Sequence, residues 1–293
     1  SEARNLLLNP LTGRSRDTNG AQDVFQTANP LVAQSKSGTW WIPAESGWGL
    51  FTVDQGNAIG VGWFTYDSDG EPTWFIGAAV EQPDGRFSGE MFRQTGVPLA
   101  DISGTATETS VKFADITLRF IGTGGVQFDY AVVNGPRQSK RMSRFIYNGD
   151  DIVCRPSPFQ SRALAANATD LWWGGAETSG WGIFVNQASD ILVSTWYTYD
   201  TDREALFLTA LATRQADGRF VGDIFRQASG TPFDRINGAP PSLSAEVVGR
   251  VEVMLLDGDE AEFSYTIGST EQVKRISRFV FGSTPGVCSE ARP

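Results

Sequence analysis

WFTYDSDGEPTWFIGAAVEQPDGRFSGEMFRQ, from Trp63 to Gln94, returns as WYTYDTDREALFLTALATRQADGRFVGDIFRQ, from Trp196 to Gln227. The two align without a gap at an offset of 133 residues, with about half of the positions identical. The likeness extends in both directions. Upstream, SGTWWIPAESGWG (Ser37–Gly49) is answered by LWWGGAETSGWG (Leu171–Gly182). Downstream, VQFDYAV (Val126–Val132) is answered by AEFSYTI (Ala261–Ile267), and KRMSRFIY (Lys140–Tyr147) by KRISRFVF (Lys274–Phe281). A unit of about 110 residues is the size of a small domain and too long for a solenoid repeat.

Each copy reads as all-β. In AIGVGWFTY, Ile59, Val61, Trp63 and Thr65 share one face, while Phe64 and Tyr66 take the other. GRFSGEMFRQ sets Phe87, Gly89, Met91 and Arg93 against Arg86, Ser88, Glu90 and Phe92. Asp-Gly and Gly-Gly turns punctuate these runs and supply positive φ at low steric cost. No stretch carries a convincing helical period. Short strands in series predict two tandem homologous antiparallel β-barrel-like domains or compact sandwiches; full closure has the advantage of leaving no edge strand. The predicted organisation is an extended N-terminal arm over 1–36, barrel repeats over 37–148 and 170–282, a linker over 149–169 and a tail over 283–293.

The cysteines fit this plan. Cys154 and Cys288 each fall ten residues beyond an equivalent arginine, Arg144 and Arg278. Equivalent positions after the last strand of each copy point to a disulfide joining the two tails, the alternative being two free thiols. A disulfide places the chain in an oxidising setting, extracellular or at the cell surface, with the periplasm as a variant. The Ser-Glu-Ala start, without Met, is compatible with a mature end left by cleavage at small residues.

Composition excludes whole classes of chemistry. The chain has 293 residues and no His. Ser-His-Asp and Cys-His nucleophiles, histidine zinc sites and the commonest neutral-pH base are therefore ruled out. A net charge of −10 without Lys/Arg clusters argues against nucleic acid and anionic membrane surfaces as partners. No apolar run approaches the roughly 20 residues of a spanning helix. No metal and no cofactor is expected. The Asp-x-Asp-Gly of YDSDG (Tyr66–Gly70) echoes part of a calcium loop but falls where a hairpin turn belongs.

The acidic and aromatic residues near the repeated Ser-Gly-Trp-Gly turns are the candidate site. Glu45, with Trp41 and Trp48, and Glu177, with Trp173 and Trp181, are two sets placed at the barrel mouths for a sugar or small ligand. The competing reading pairs each Glu with an arginine that alternation turns inward, Glu45 with Arg93 and Glu177 with Arg226, because an unpaired buried charge costs several kcal/mol. Trp63 and Trp196 alternate with aliphatics and belong to the core. Of each adjacent pair, Trp40/Trp41 and Trp172/Trp173, one must point outward.

Taken in order, WWIPAESGWG, WFTYDSDGEPTWF, GRFSGEMFRQTG and FDYAVVNGPRQSKRMSRFIY resemble a repeat found in many secreted proteobacterial proteins. Its pattern includes Trp-Trp, Glu-Ser-Gly-Trp-Gly and a closing strand of Lys-x-Ile-x-Arg type. The resemblance covers nearly all of both units and implies a secreted barrel-like module with no family-wide catalytic residues to carry over. The second copy departs from it where Arg203 replaces the turn glycine Gly70. The Gly-Thr-Trp-Trp start is also similar, by distant analogy, to the first strand of avidin-like barrels. The expectation is a secreted, non-enzymatic structural or assembly protein that self-associates through its N-terminal arm; the alternative is a carbohydrate- or small-ligand-binding module.

Overall fold

A computed structural model describes residues 36–147, 152–157, 162–238 and 244–290. The arm lies outside the described residues except for Lys36. Eight antiparallel strands close into a first barrel: β1 (Gly38–Trp41), β2 (Gly49–Asp54), β3 (Ala58–Tyr66), β4 (Pro72–Glu81), β5 (Phe87–Gly96), β6 (Thr107–Ile121), β7 (Gly125–Val132) and β8 (Arg137–Arg144). After β9 (Ile152–Pro156), a second barrel repeats the order: β10 (Asp170–Trp173), β11 (Gly182–Ala188), β12 (Ile191–Tyr199), β13 (Ala205–Arg214), β14 (Phe220–Ser229), β15 (Ser244–Leu255), β16 (Glu260–Ile267) and β17 (Thr270–Arg278). Closure comes from pairing the first and last strands, Trp40 with Arg144 and Trp172 with Arg278. The sandwich alternative is thereby resolved in favour of barrels. No α-helix occurs among the described residues; two short 3-10 turns, Pro43–Glu45 and Ala176–Thr178, follow the Trp-Trp strands.

β18 (Gly286–Glu290) pairs with β9 in a separate two-stranded sheet, with Cys288 directly opposite Cys154. The two are disulfide-bonded across 134 residues of sequence. In a chain-entropy account, a closed loop of that size contributes on the order of 4–5 kcal/mol.

The inward face of each barrel is filled. Trp63 sits at the centre of the first, its ring 5.4 Å from Phe75, 5.5 Å from Phe128 and 4.8 Å from Tyr130. Trp196 holds the same place in the second, 5.3 Å from Phe263 and 4.6 Å from Tyr265. Both are buried, and side chains of this size make the largest apolar contribution to a core.

The outward face of β3 explains the second half of the alternation. Phe64 and Tyr66, together with Phe51 and Trp74, are buried against the other barrel, next to Phe184, Tyr197, Tyr199 and Phe207. Gly62 makes room for this: a Cβ there would press on Phe184 and on the Tyr197 ring. The seam is also hydrogen-bonded. The Trp74 indole donates to the Thr198 carbonyl at 2.9 Å. The buried Gln55 amide donates to the Phe279 carbonyl and accepts from the amides of Phe281 and Gly282.

Candidate functional site

The two barrel mouths are closed by an exchange. The segment after β5, GVPLADISG (Gly96–Gly104), leaves the first barrel and covers the mouth of the second. Leu99 N donates to Tyr199 O at 3.1 Å, the Tyr265 hydroxyl to Leu99 O at 3.1 Å, Gln272 to Ala100 O at 2.7 Å, and Lys274 Nζ to Ile102 O at 2.6 Å. The segment after β14, GTPFDRING (Gly230–Gly238), does the same in return. Phe233 N donates to Tyr66 O at 2.9 Å, the Tyr130 hydroxyl to Phe233 O at 3.3 Å, and Lys140 Nζ to Ile236 O at 3.3 Å. Ile102 and Ile236 are buried as plugs, and the Phe233 ring reaches within 6.3 Å of the Trp63 ring of the barrel it covers. Burial raises the Tyr130 hydroxyl, with Glu45 and Asp234 adding to the shift, so it stays protonated as the donor to this contact. This Gly-x-Pro-x-x-x-Ile-x-Gly repetition is present in the sequence, and its exact recurrence is the signal that could have found the plugs.

The carboxylates of the mouths meet different cations from those expected. Glu45 is buried and pairs with Lys140, whose Nζ lies 2.8 and 3.1 Å from its two oxygens. It does not meet Arg93. The ladder between β4 and β5 ends at the Ile76–Phe92 rung, so Arg93 lies past it at the rim and turns out to Glu204 of the other barrel, 3.4 Å away. Arg226, on the last rung of β13 and β14, likewise lies 4.0 Å from Glu71 rather than near Glu177. These two rim pairs are mirror images across the seam. Being exposed, they contribute little stability. The cations that do face inward come from the closing strands, where Lys-x-Met-x-Arg and Lys-x-Ile-x-Arg alternation points Lys140, Met142 and Arg144, or Lys274, Ile276 and Arg278, into the barrel.

Glu177 departs further from expectation, for it is exposed. Lys274, the counterpart of Lys140, is left with the Ile102 carbonyl, and burial pulls its amine below the usual lysine range. Charge balance in the second barrel is made at the opposite end of β17. Arg278 is buried, lies 3.2 Å from Asp170, and donates to the carbonyls of Thr169 and Asn167. Arg162 pairs with the same Asp170 oxygen. Burial pushes the Asp170 carboxyl up and the two guanidinium groups oppose it, while burial lowers Arg278. Each closing arginine also lies over the first-strand indole, Arg144 at 4.4 Å from Trp40 and Arg278 at 4.8 Å from Trp172.

The six tentative ligand residues therefore divide. Trp48 and Trp181 pack into the mouths beside Trp63 and Trp196, at 6.3 and 6.4 Å. Trp41 points outward and is buried against Phe145 at 5.1 Å. Trp173 points outward and stays partly exposed, at 4.7 Å from Phe279. Glu45 is spent on Lys140, and Glu177 faces solvent. The Asp67 carboxylate accepts from the amides of Asp69 and Glu71, and Asp200 repeats this with Asp202 and Glu204, so both stretches are hydrogen-bonded turns. Arg203 takes the left-handed conformation, φ 69°, that Gly70 takes at 88°. Among the described residues no group of three or more His, Cys, Asp or Glu is placed to hold a metal ion, and no helix is long and apolar enough to cross a membrane.

An open cleft of about 220 Å³ lies where the barrels meet, bounded by Trp74 of the first barrel and Trp173, Trp181, Tyr197 and Phe279 of the second. The space related to it by the duplication, beside Thr39, Phe64 and Phe207, shrinks to about 20 Å³. Compared with known proteins, the chain matches no family model, no curated protein and no solved structure.

Proposed function

We propose that the chain is a secreted, non-enzymatic structural protein whose two barrels form one preassembled unit, with residues 1–36 carrying it into larger assemblies. The reciprocal plugs are the observation that supports this reading most. The polar side chains at both mouths, Lys140, Lys274, Tyr130 and Tyr265, are engaged in holding the opposite barrel's segment. A protein that used those mouths to receive a ligand would have to expel its own partner. Secretion is supported by the disulfide and by the motif resemblance. The absence of His leaves little with which to build an acid–base site.

Light scattering on the full chain and on a chain lacking residues 1–25 tests the proposal, with circular dichroism to verify that both retain the fold. Assemblies that fall to monomer mass on truncation are the expected result. Monomers in both samples would overturn the assembly role. The small-ligand alternative moves away from the mouths, and the seam cleft is the feature that favours it.

A further inference from the structure

We propose that the seam cleft is where the arm of a second copy docks, its occupant being the leucine-rich stretch NLLLNPL, residues 5–11. This docking rests on the assembly reading above and gives the arm a surface to hold.

The duplication shows how the same surface looks when it is covered. Ile76, Gln94, Trp173 and Phe279 border the cleft and are partly exposed. Their counterparts in the other half are Thr209, Gln227, Trp41 and Phe145. All four counterparts are buried, none more than 4% exposed. Equivalent strands thus carry a closed face on one side of the seam and an open apolar one on the other. Open apolar surface rimmed by polar residues is the mark of an interaction site.

The chemistry of the cleft selects the occupant. Its walls are mostly apolar, and no ionised side chain lines it. A charged group would lose its water there and find no counter-charge. At about 220 Å³ the cleft admits side chains of an extended segment rather than a folded element. Residues 5–11 match this: they include Leu6, Leu7, Leu8 and Leu11 and no ionisable side chain, while Arg4 and Arg14 stay outside the stretch. The arm is also long enough to cross to a neighbour. Residues 12–35 lie between Leu11 and the described root at Lys36. Extended, that spacer reaches roughly 80 Å, whereas a compact chain of this size is roughly 45 Å across. Arm into cleft is a head-to-tail contact, and such contacts propagate into rings or filaments.

Disulfide trapping on the full chain tests the docking, with light scattering in parallel and circular dichroism to verify the fold of each variant. Leu8→Cys and Ile76→Cys are made separately, mixed and oxidised; Thr18→Cys replaces Leu8→Cys in the control. A heterodimer joined between positions 8 and 76, well in excess of the control, is expected. Ile76→Asp places a charge in the cleft and should weaken association about tenfold or more. Trapping no greater than in the control, or association unweakened in folded Ile76→Asp, would overturn the docking site and leave the assembly reading standing. A bond formed only within single molecules of the Leu8→Cys/Ile76→Cys double variant would overturn it as well, by placing the arm on its own body. Monomers of the unmodified full chain would overturn both.

Discussion

The two mouths are built from nearly the same residues and reach different electrostatic solutions. In the first barrel Glu45 is the last residue of its 3-10 turn, Pro43–Glu45, and reaches Lys140. In the second, Glu177 is the middle residue of Ala176–Thr178 and is exposed. Thr178 is an insertion in the second copy, and Gly-Gly replaces Ile-Pro before it. With about three residues per turn, a shift of one position swings a side chain through roughly a third of a turn. One inserted residue thus exchanges a buried ion pair for a solvated carboxylate. The comparison teaches that motif identity does not transmit side-chain partnership when a tight turn lies between the two.

The largest expected effect breaks this comparison directly. Glu45→Ala leaves Lys140 enclosed without its carboxylate and should cost about 3 kcal/mol or more. Glu177→Ala should stay within about 0.5 kcal/mol. Urea unfolding of both variants provides the check, and similar losses would mean that the pair at the first mouth is energetically idle.

The plugs, unlike the carboxylates, should respond alike. A Cβ at Gly96 or Gly230 would run into the ring of Tyr199 or Tyr66 across the seam. Gly96→Ala and Gly230→Ala should each destabilise by about 1–3 kcal/mol through overpacking. Thermal unfolding would read this as two similar losses; a marked inequality would show that one exchange holds the molecule and the other merely follows.

The smallest effect concerns the cation that lost its partner. The Lys274 amine sits below its ordinary value in the folded protein. Between the folded and ordinary values the folded state binds fewer protons than the unfolded one, so stability should rise with pH through that alkaline window. Lys274→Met should remove the rise. Unfolding midpoints measured across the window, with and without the substitution, would show it; an unchanged slope would assign the rise to another group.

Part of the candidate site was legible along the chain. Trp173 and Trp181 were picked out by the repeat, and they do bound the cleft. Trp74, Tyr197 and Gln94 were not, because each belongs to a strand whose outward face gives no hint of what covers it. The inward lysines, Lys140 and Lys274, follow from the plain alternation of KRMSR and KRISR. Arg93 and Arg226 have the inward period but sit at the rim, Arg93 past the last β4–β5 rung and Arg226 on the last β13–β14 rung.

By itself the sequence determined the duplication, the all-β class, the core indoles Trp63 and Trp196 and the equivalent positions of the two cysteines. These follow from period-2 alternation, turn chemistry and self-similarity, all readable within a few residues or by laying one copy on the other. Only the tertiary structure decided closure into barrels, the burial of Phe64 and Tyr66 in a seam, the crossing of the plugs and the partner of Glu45. Those outcomes join segments far apart in the chain, as with Glu45 and Lys140 at a separation of 95 residues. At such distances local periodicity carries no information, and packing and desolvation choose the partner.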